Sequence, residues 1–389
     1  MPENPLVVIR SLVYNHEPYL RQCLDGFVMQ QTTFPFVAVV HDDCSTDNSA
    51  AILREYAEKY PDIIKPVYET ENQYSKPGGA LIKALDAACK KYGPDAKYYA
   101  LCEGDDCWTE PHKLQKQVEF LEAHPEYTMA CSNAVVMTPK GEMSSDDLQR
   151  RGWPTYAGDC DIPVEDTITK GGWLIHTASI VYRCGLKDDY PEACVKRLIG
   201  GDTQLQIFAA LKGKIRYFHK KMVVYRLNSS PVSWTASVTR KRDSRAIQVW
   251  ESDVAMYESL DAYSGGRYEK EFHLGAMKEI GWQMNLNRHL LPEAMPRVGY
   301  VFMYSYLAPY YQERLGKGVW AYLKHRFLKW CYYPYYPQPE FDFLLRPLLR
   351  PFFKSTGAKW SYCIAGHPVL TVVECLGKKR VFLCGVRVR

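Results

Sequence analysis

The stretch Leu101-Cys102-Glu103-Gly104-Asp105-Asp106-Cys107-Trp108 places three carboxylates within four residues. It follows directly on the apolar run Tyr98 to Cys102, whose length and composition are those of a buried strand. Carboxylates this close repel one another unless a cation lies among them. Oxygen ligands without a surrounding Cys or His set suit Mg²⁺ or Mn²⁺, and in α/β sheets ligands gather beyond the carboxyl ends of strands. The stretch therefore points either to a metal-assisted site for a phosphorylated ligand or to an acidic turn before the helix that Thr109 and Pro111 begin.

The residues upstream decide between these. Leu6 to Leu12 reads as a fully buried strand, and the turn Tyr14-Asn15-His16-Glu17 opens a helix with Leu20, Leu24, Phe27 and Val28 at helical spacing. A second buried strand, Phe36 to Val40, runs into His41-Asp42-Asp43-Cys44-Ser45-Thr46-Asp47, where Ser45 or Thr46 can cap a helix through Ile52, Leu53 and Tyr56. Strand Ile63 to Tyr68, a Gly78-Gly79 break and a helix from Ala80 to Lys91 lead back to Tyr98. Strands alternating with helices predict right-handed crossovers and a mostly parallel sheet. Both acidic turns then open on one sheet edge, which favours a site.

These motifs, in this order and spacing, with Lys113-Leu114 following, resemble a family 2 glycosyltransferase with the GT-A fold, of the type that builds bacterial surface polysaccharides. The resemblance covers roughly residues 5 to 235. It implies a Rossmann-like sheet flanked by helices, a nucleotide-sugar donor, usually a UDP-sugar, and Mn²⁺ or Mg²⁺ on its pyrophosphate. Carried onto this sequence, it gives Asp43 the nucleobase, Glu103 the ribose, Asp105 the metal, and Tyr14 and Asn15 the turn against the nucleotide. Glu103 stands where the family usually has aspartate. Asp202, in Gly200-Gly201-Asp202-Thr203, matches the general base of an inverting transfer; from the residues alone a helix N-cap is the alternative. Asn228 stands where a histidine often completes the metal shell, and its amide oxygen is a weaker ligand. Trp173 and His176 become candidates for the acceptor or sugar side, or else an ordinary buried tryptophan and core histidine.

Between these motifs, Thr138 to Thr167 is rich in Gly, Pro, Asp and Ser and reads as a long loop over the acceptor side. Lys214 to Tyr217 and Met222 to Leu227 read as two strands. From Arg240 the pattern turns helical, through Ile247, Trp250, Val254, Tyr257 and Leu260, then Leu274, Met277, Ile280 and Met284, then a third helix through Val301 and Leu307. The expected division is a catalytic domain over 1–238, a helical extension over 239–312 and a basic aromatic tail over 313–389. The tail holds a basic amphipathic helix, Lys317 to Trp330, and a terminal β-hairpin from Val369 to Glu374 and Arg380 to Val388.

Charge sets the tail apart. Residues 313–389 carry 14 Lys and Arg against 4 Asp and Glu, whereas the rest carries 35 against 40. Aromatic residues beside Lys and Arg suit the headgroup zone of an anionic bilayer, or docking on the chain's own domain or on a second copy in a homo-oligomer. No nucleic-acid reading motif accompanies them, and no GxxxxGK[ST] sequence supports a P-loop enzyme. The thirteen cysteines form no CxxC pair, and neither a signal-peptide core nor an eighteen-residue apolar run occurs. A cytoplasmic enzyme, peripheral on the inner face of the membrane, is the expectation, acting on a glycan or lipid-linked acceptor. Glu103 and Asn228 keep one alternative open: a catalytically weak or inactive nucleotide-binding scaffold that organises polysaccharide assembly.

Overall fold

The computed structural model describes residues 4–76, 79–150, 153, 156–196, 201–227, 246–286 and the strands within 352–387. The chain divides into two compact units, Met1–Tyr190 with Gly200–Arg240, and Pro191–Ile199 with Lys241–Arg389.

The first unit alternates strands and helices as its sequence pattern requires: β1 (Val7–Val13), α1 (Glu17–Val28), β2 (Phe36–Asp42), α2 (Ser49–Lys59), β3 (Ile64–Tyr68), α3 (Ala80–Tyr92), β4 (Tyr98–Leu101), β5 (Cys107–Trp108), α4 (Lys113–Ala123) and β6 (Tyr127–Thr138). There follow β7 (Gly141–Glu142), α5 (Ser145–Arg150), β8 (Cys160–Asp161), α6 (Val164–Lys170), β9 (Val181–Arg183), α8 (Asp202–Lys212) and β10 (Lys214–Arg226); α7 (Glu192–Val195) lies in the second unit. The main path of the sheet is β3-β2-β1-β4-β9-β6-β10-β5. The pairs β1–β2, β1–β4, β2–β3 and β6–β10 are parallel, while β9 runs antiparallel between β4 and β6. Consequently β1, β2, β4, β6 and β10 all end on one edge, the edge expected to carry the acidic turns.

Strand periodicity sorts the core into two layers. Val7 and Ile9 face a cluster with Leu24 and Phe27 of α1, Leu53 of α2 and Val118 of α4. Val8 faces the other way, with Val39 of β2 and Leu85 and Cys89 of α3. Burial on both faces explains why these strands read as continuous apolar runs.

Two readings of the sequence need correction. Residues 138–167 are not a plain loop. Ser144 and Asp147 cap α5 reciprocally, with the Ser144 hydroxyl bonded to the Asp147 carboxylate (2.8 Å) and the Asp147 N–H to Ser144 Oγ (3.2 Å). Tyr156 donates its hydroxyl to Asp166 at the start of α6 (2.7 Å). The two strands expected over 214–227 are one, β10, carried through its polar middle by register shifts between Phe218 and Val223.

In the second unit, α9 (Ala246–Tyr263) and α10 (Glu269–Leu286) occupy the first two expected helices. The terminal hairpin is present, with Leu370 opposite Leu383 and Cys375 opposite Lys378. It belongs to a larger antiparallel sheet of β11 (Phe352–Phe353), β12 (Ala358–Ile364), β13 (His367–Cys375), β14 (Lys378–Leu383) and β15 (Val386–Arg387). The third helix through Val301 and Leu307 and the amphipathic helix over 317–330 lie outside the described residues. Among those that are described, no helix is long and apolar enough to cross a membrane.

Candidate active site

The first two turns at the sheet edge are tied to each other. Asn15 has a φ of 56° and Cys44 a φ of 63°, a left-handed conformation uncommon for residues with a side chain. The Asn15 N–H donates to Ser45 Oγ (2.9 Å), and Asn15 Oδ1 accepts from the Thr46 N–H (2.7 Å). His16 N–H donates to Ser49 Oγ (3.0 Å) and Glu17 N–H to the Asp47 carboxylate (3.0 Å), while Glu17 returns a carboxylate to the Asn48 N–H (3.0 Å). Each helix is thus capped from the turn that opens the other. Asn15 holds this crossing together, and Tyr14 beside it is exposed.

Asp43 is 2% exposed, and its carboxylate is wrapped by the segment after β3. It accepts from the Gln73 N–H (2.6 Å), the Tyr74 N–H (3.1 Å) and the Asn72 side-chain amide (2.8 Å). That leaves the Tyr74 ring 58% exposed at the sheet edge. Asp43 therefore shapes the wall expected to meet a nucleobase, and does so through 72–74.

Register delivers the acidic stretch. Parallel pairing of β1 with β4 continues past the strands: Cys102 N–H donates to Arg10 O (3.2 Å) and Gly104 N–H to Leu12 O (2.9 Å). Glu103 then accepts from the Leu12 N–H (3.1 Å). Burial, and the negative charges of Asp105 and Asp202, push the Glu103 carboxyl up to about 8. Gly104 is required here: a Cβ would stand 2.7 Å from His16 Nδ1 and 2.8 Å from Val13 Cγ2. His16 Nδ1 is itself buried and has no hydrogen-bond partner among the described residues. Desolvation lowers its pKa, against the opposing pull of Asp105, Asp47 and Asp42.

Arg226 was given no role by the sequence, yet it organises the far side of this stretch. Antiparallel pairing of Val224 with Cys107 brings the end of β10 alongside. Arg226 N–H donates to Asp106 Oδ1 (2.7 Å), its guanidinium donates to Asp105 O (2.6 Å) and to the Gln22 side chain, and it lies over the Tyr19 ring at 4.9 Å. Asp106 is buried, and its carboxyl is pushed well above the usual range by burial first and by Asp105 second. Asp106 thus anchors β10. No sequence pattern announces Arg226, because its partners are set by strand register.

Asp202 is the first residue of α8, and its Oδ1 accepts from the Thr203 N–H (2.9 Å). A Cβ on Gly172 would lie 2.8 Å from Asp202 Oδ2, so only glycine lets the segment 171–174 approach so closely. Thr203 Oγ1 accepts from the Gly172 N–H (3.1 Å) and fixes that approach. His176 stacks on Tyr225 (4.7 Å between centroids) and meets Trp153 edge-on (5.2 Å), and burial lowers its pKa to about 4. Trp173 closes the short helix Gly171–Trp173; its side chain, like all of Asn228, lies outside the described residues.

Among the described residues no three His, Cys, Asp or Glu side chains form a self-sufficient metal site. Asp105, an oxygen donor at the sheet edge beside the buried Glu103, fits instead the partial shell typical of Mg²⁺ or Mn²⁺ sites, in which one or two carboxylates are completed by substrate phosphate and water.

The model of glycosyl transferase family 2 matches residues 11–179. An uncharacterized protein of Mycobacterium tuberculosis is 32% identical over 282 residues, 70% of this chain and 74% of its own length. The chain belongs to glycosyl transferase family 2. An uncharacterized glycosyltransferase of Nostoc sp. is 27% identical over 236 residues, 60% of this chain and 68% of its own. Among solved structures, Staphylococcus aureus TarS 1–349 in complex with UDP-GlcNAc superposes with a TM-score of 0.52 at 15% identity, covering 80% of this chain and 92% of that one. The sheet described above is thus the GT-A fold expected from the sequence, and the protein is a glycosyltransferase.

Proposed function

We propose that this glycosyltransferase moves a sugar from a nucleotide-sugar, a UDP-sugar in the first instance, onto a hydroxyl of a glycan or lipid-linked acceptor with inversion, in surface polysaccharide synthesis. The observation that carries the reading is the acidic stretch itself, set by register at the end of β4, with Glu103 bonded to the Leu12 N–H and Arg226 bonded to Asp105 O; the negative charge of Asp202, about a hundred residues further along the chain, also reaches Glu103. The UDP-GlcNAc complex of TarS supports the donor class.

In this reading Asp43, through 72–74, and the turn at Tyr14 and Asn15 frame the base. Glu103 would accept from the ribose, and Asp105 would hold Mn²⁺ or Mg²⁺ with Asn228 as a further oxygen donor. When bound, the cation neutralises the charge developing on the leaving diphosphate. Asp202 accepts the proton of the acceptor hydroxyl as that oxygen attacks the anomeric carbon, since a neutral hydroxyl is a poor nucleophile. Trp173 and His176 lie on the acceptor side, and the basic tail gives the enzyme peripheral contact with an anionic membrane.

The test is a screen of UDP-, GDP- and dTDP-sugars for Mn²⁺-dependent binding and hydrolysis, repeated with Asp202→Asn. The variant should bind donor as the wild type does and lose about 10²- to 10⁴-fold in transfer. Near-normal transfer by the variant would remove Asp202 from the reaction. Nucleotide binding with no turnover across many acceptors would instead favour the scaffold alternative.

A further inference from the structure

A cavity opens on the face of the sheet at β6 and β10, four and five strands along from β2 in the path that runs β2-β1-β4-β9-β6-β10. Its volume is about 520 Å³, within the range of small-molecule sites. Rings form much of its wall: Trp153, Tyr156, Tyr217 and His176. Trp153 is 5% exposed and fixed edge-on to His176, and Tyr156 is fixed edge-on to Tyr217 (5.1 Å). These rings are held before any ligand arrives.

The polar part of the lining is mixed and nearly neutral. Glu142 and Lys221 pair with each other at 3.0 Å. Ser132, Asn133, Ser144 and Ser145 add hydroxyl and amide groups. Burial keeps the His176 imidazole neutral near pH 7. Among the described residues the lining holds no arginine fork for a phosphate and no carboxylate cluster for a metal. Rings set against the apolar face of a ligand, with short neutral donors and acceptors around its rim, match the chemistry of an uncharged sugar ring, whose faces carry C–H groups and whose edge carries hydroxyls.

Position adds the second argument. Leu174 lines the cavity two residues beyond Gly172, where an added Cβ would meet Asp202 Oδ2. His176, also in the lining, stacks on Tyr225, the neighbour of the Arg226 that binds Asp105 and Asp106. The cavity therefore borders the Asp202 side of the acidic site and lies away from the wall that Asp43 shapes.

We infer that this cavity is a saccharide subsite, distinct from the nucleotide-sugar site, that holds an uncharged sugar residue of the acceptor glycan behind the one whose hydroxyl is glycosylated. The inference rests on the glycosyltransferase reading of Asp202 for its role, though not for its chemistry. Occupation of the subsite makes acceptors of two or more sugars better substrates than single sugars.

The experiment titrates the full-length protein with N,N′-diacetylchitobiose, cellobiose and mannobiose, and with cellobiouronic acid as the charged counterpart, by calorimetry and saturation-transfer NMR, with UDP titrated in parallel. Two variants accompany the wild type: Trp153→Ala, which removes a wall, and Ser145→Trp, an exposed position at the cavity where added bulk does not disturb the core. At least one neutral disaccharide should bind, with affinity falling about tenfold or more in both variants, a loss of ~1.4 kcal/mol, while UDP affinity stays unchanged. Absence of disaccharide binding, with UDP binding and donor hydrolysis intact, would overturn the subsite and leave the enzymatic reading standing. Disaccharide binding that both variants leave untouched would place the sugar elsewhere and likewise overturn it, and a preference for cellobiouronic acid would overturn the assignment of an uncharged ligand. Disaccharide binding sensitive to the variants in a protein that binds no nucleotide would uphold the subsite while rejecting the donor reading.

Discussion

Replacing Lys113 by methionine should stabilise this protein, and by an amount that depends on pH. Lys113 begins α4 and is fully buried. Its Nζ has no hydrogen-bond partner among the described residues and lies 4.2 Å from the centroid of the Trp108 ring. The groups nearest it electrostatically are the thiols of Cys102 and Cys131, which burial raises above their ordinary range and so keeps uncharged. Desolvation accordingly lowers the Lys113 pKa from 10.5 to about 7. In the unfolded chain the amine returns to its ordinary value and binds a proton the native protein does not. Stability therefore rises with pH between about 7 and 10.5, and below 7 the penalty is present in full. Each unit is worth about 1.4 kcal/mol, and the amine is half-titrated at pH 7, so the advantage of Lys113→Met over the wild type should shrink by roughly 2 kcal/mol from pH 7 to pH 9. The ammonium–ring contact, worth about 2 kcal/mol when desolvated, reduces the absolute gain but hardly alters this difference. Urea unfolding of both proteins at the two pH values measures it. Equal stability of the two at pH 7, with parallel pH profiles, would refute the picture of an uncompensated buried amine.

Three further outcomes are expected at the site. Asp43→Ala removes the acceptor for two backbone N–H groups and one amide in 72–74, so KM for the donor should rise about tenfold or more with kcat less affected, read by steady-state kinetics; a change in kcat alone would contradict the wall-shaping role. Gly104→Ala forces a methyl against His16 and Val13 and should cost about 1–3 kcal/mol, seen as a lowered Tm together with weakened donor binding. Chelation with EDTA should abolish transfer and added Mn²⁺ restore it, whereas transfer that survives chelation would remove the cation from the proposal.

Much of the fold is legible because each buried strand carries its own apolar run and each helix its own period, as in Val7 to Ile9 or Leu20, Leu24 and Phe27. The acidic ends of β2 and β4 were equally visible, since both lie within a few residues of the runs they terminate. What stayed hidden depends on contacts between distant segments. The polar residues His219, Lys220 and Lys221 break the apolar pattern of β10 in sequence, but bulges carry the strand past them. Ser144 and Asp147 form a capping signal that composition alone hid within a polar stretch. Asp43 stands out in the sequence by its motif, yet its bonds to 72–74 join residues about thirty apart, and Arg226 reaches Asp105 across 121 positions.

The crossed capping of α1 and α2 has a consequence for how an anion can be held. A helix start with open N–H groups is a ready phosphate cradle. In α1 that cradle is closed: His16 and Glu17 give their N–H groups to Ser49 and Asp47, Pro18 has none, and Tyr19 and Leu20 bond back to His16 O. The first helix of the sheet offers a diphosphate no backbone donors, so on the proposed reading its charge must be met by side chains or by a cation. The donors of this helix start are directed inward instead, where they lock two turns into a single rim.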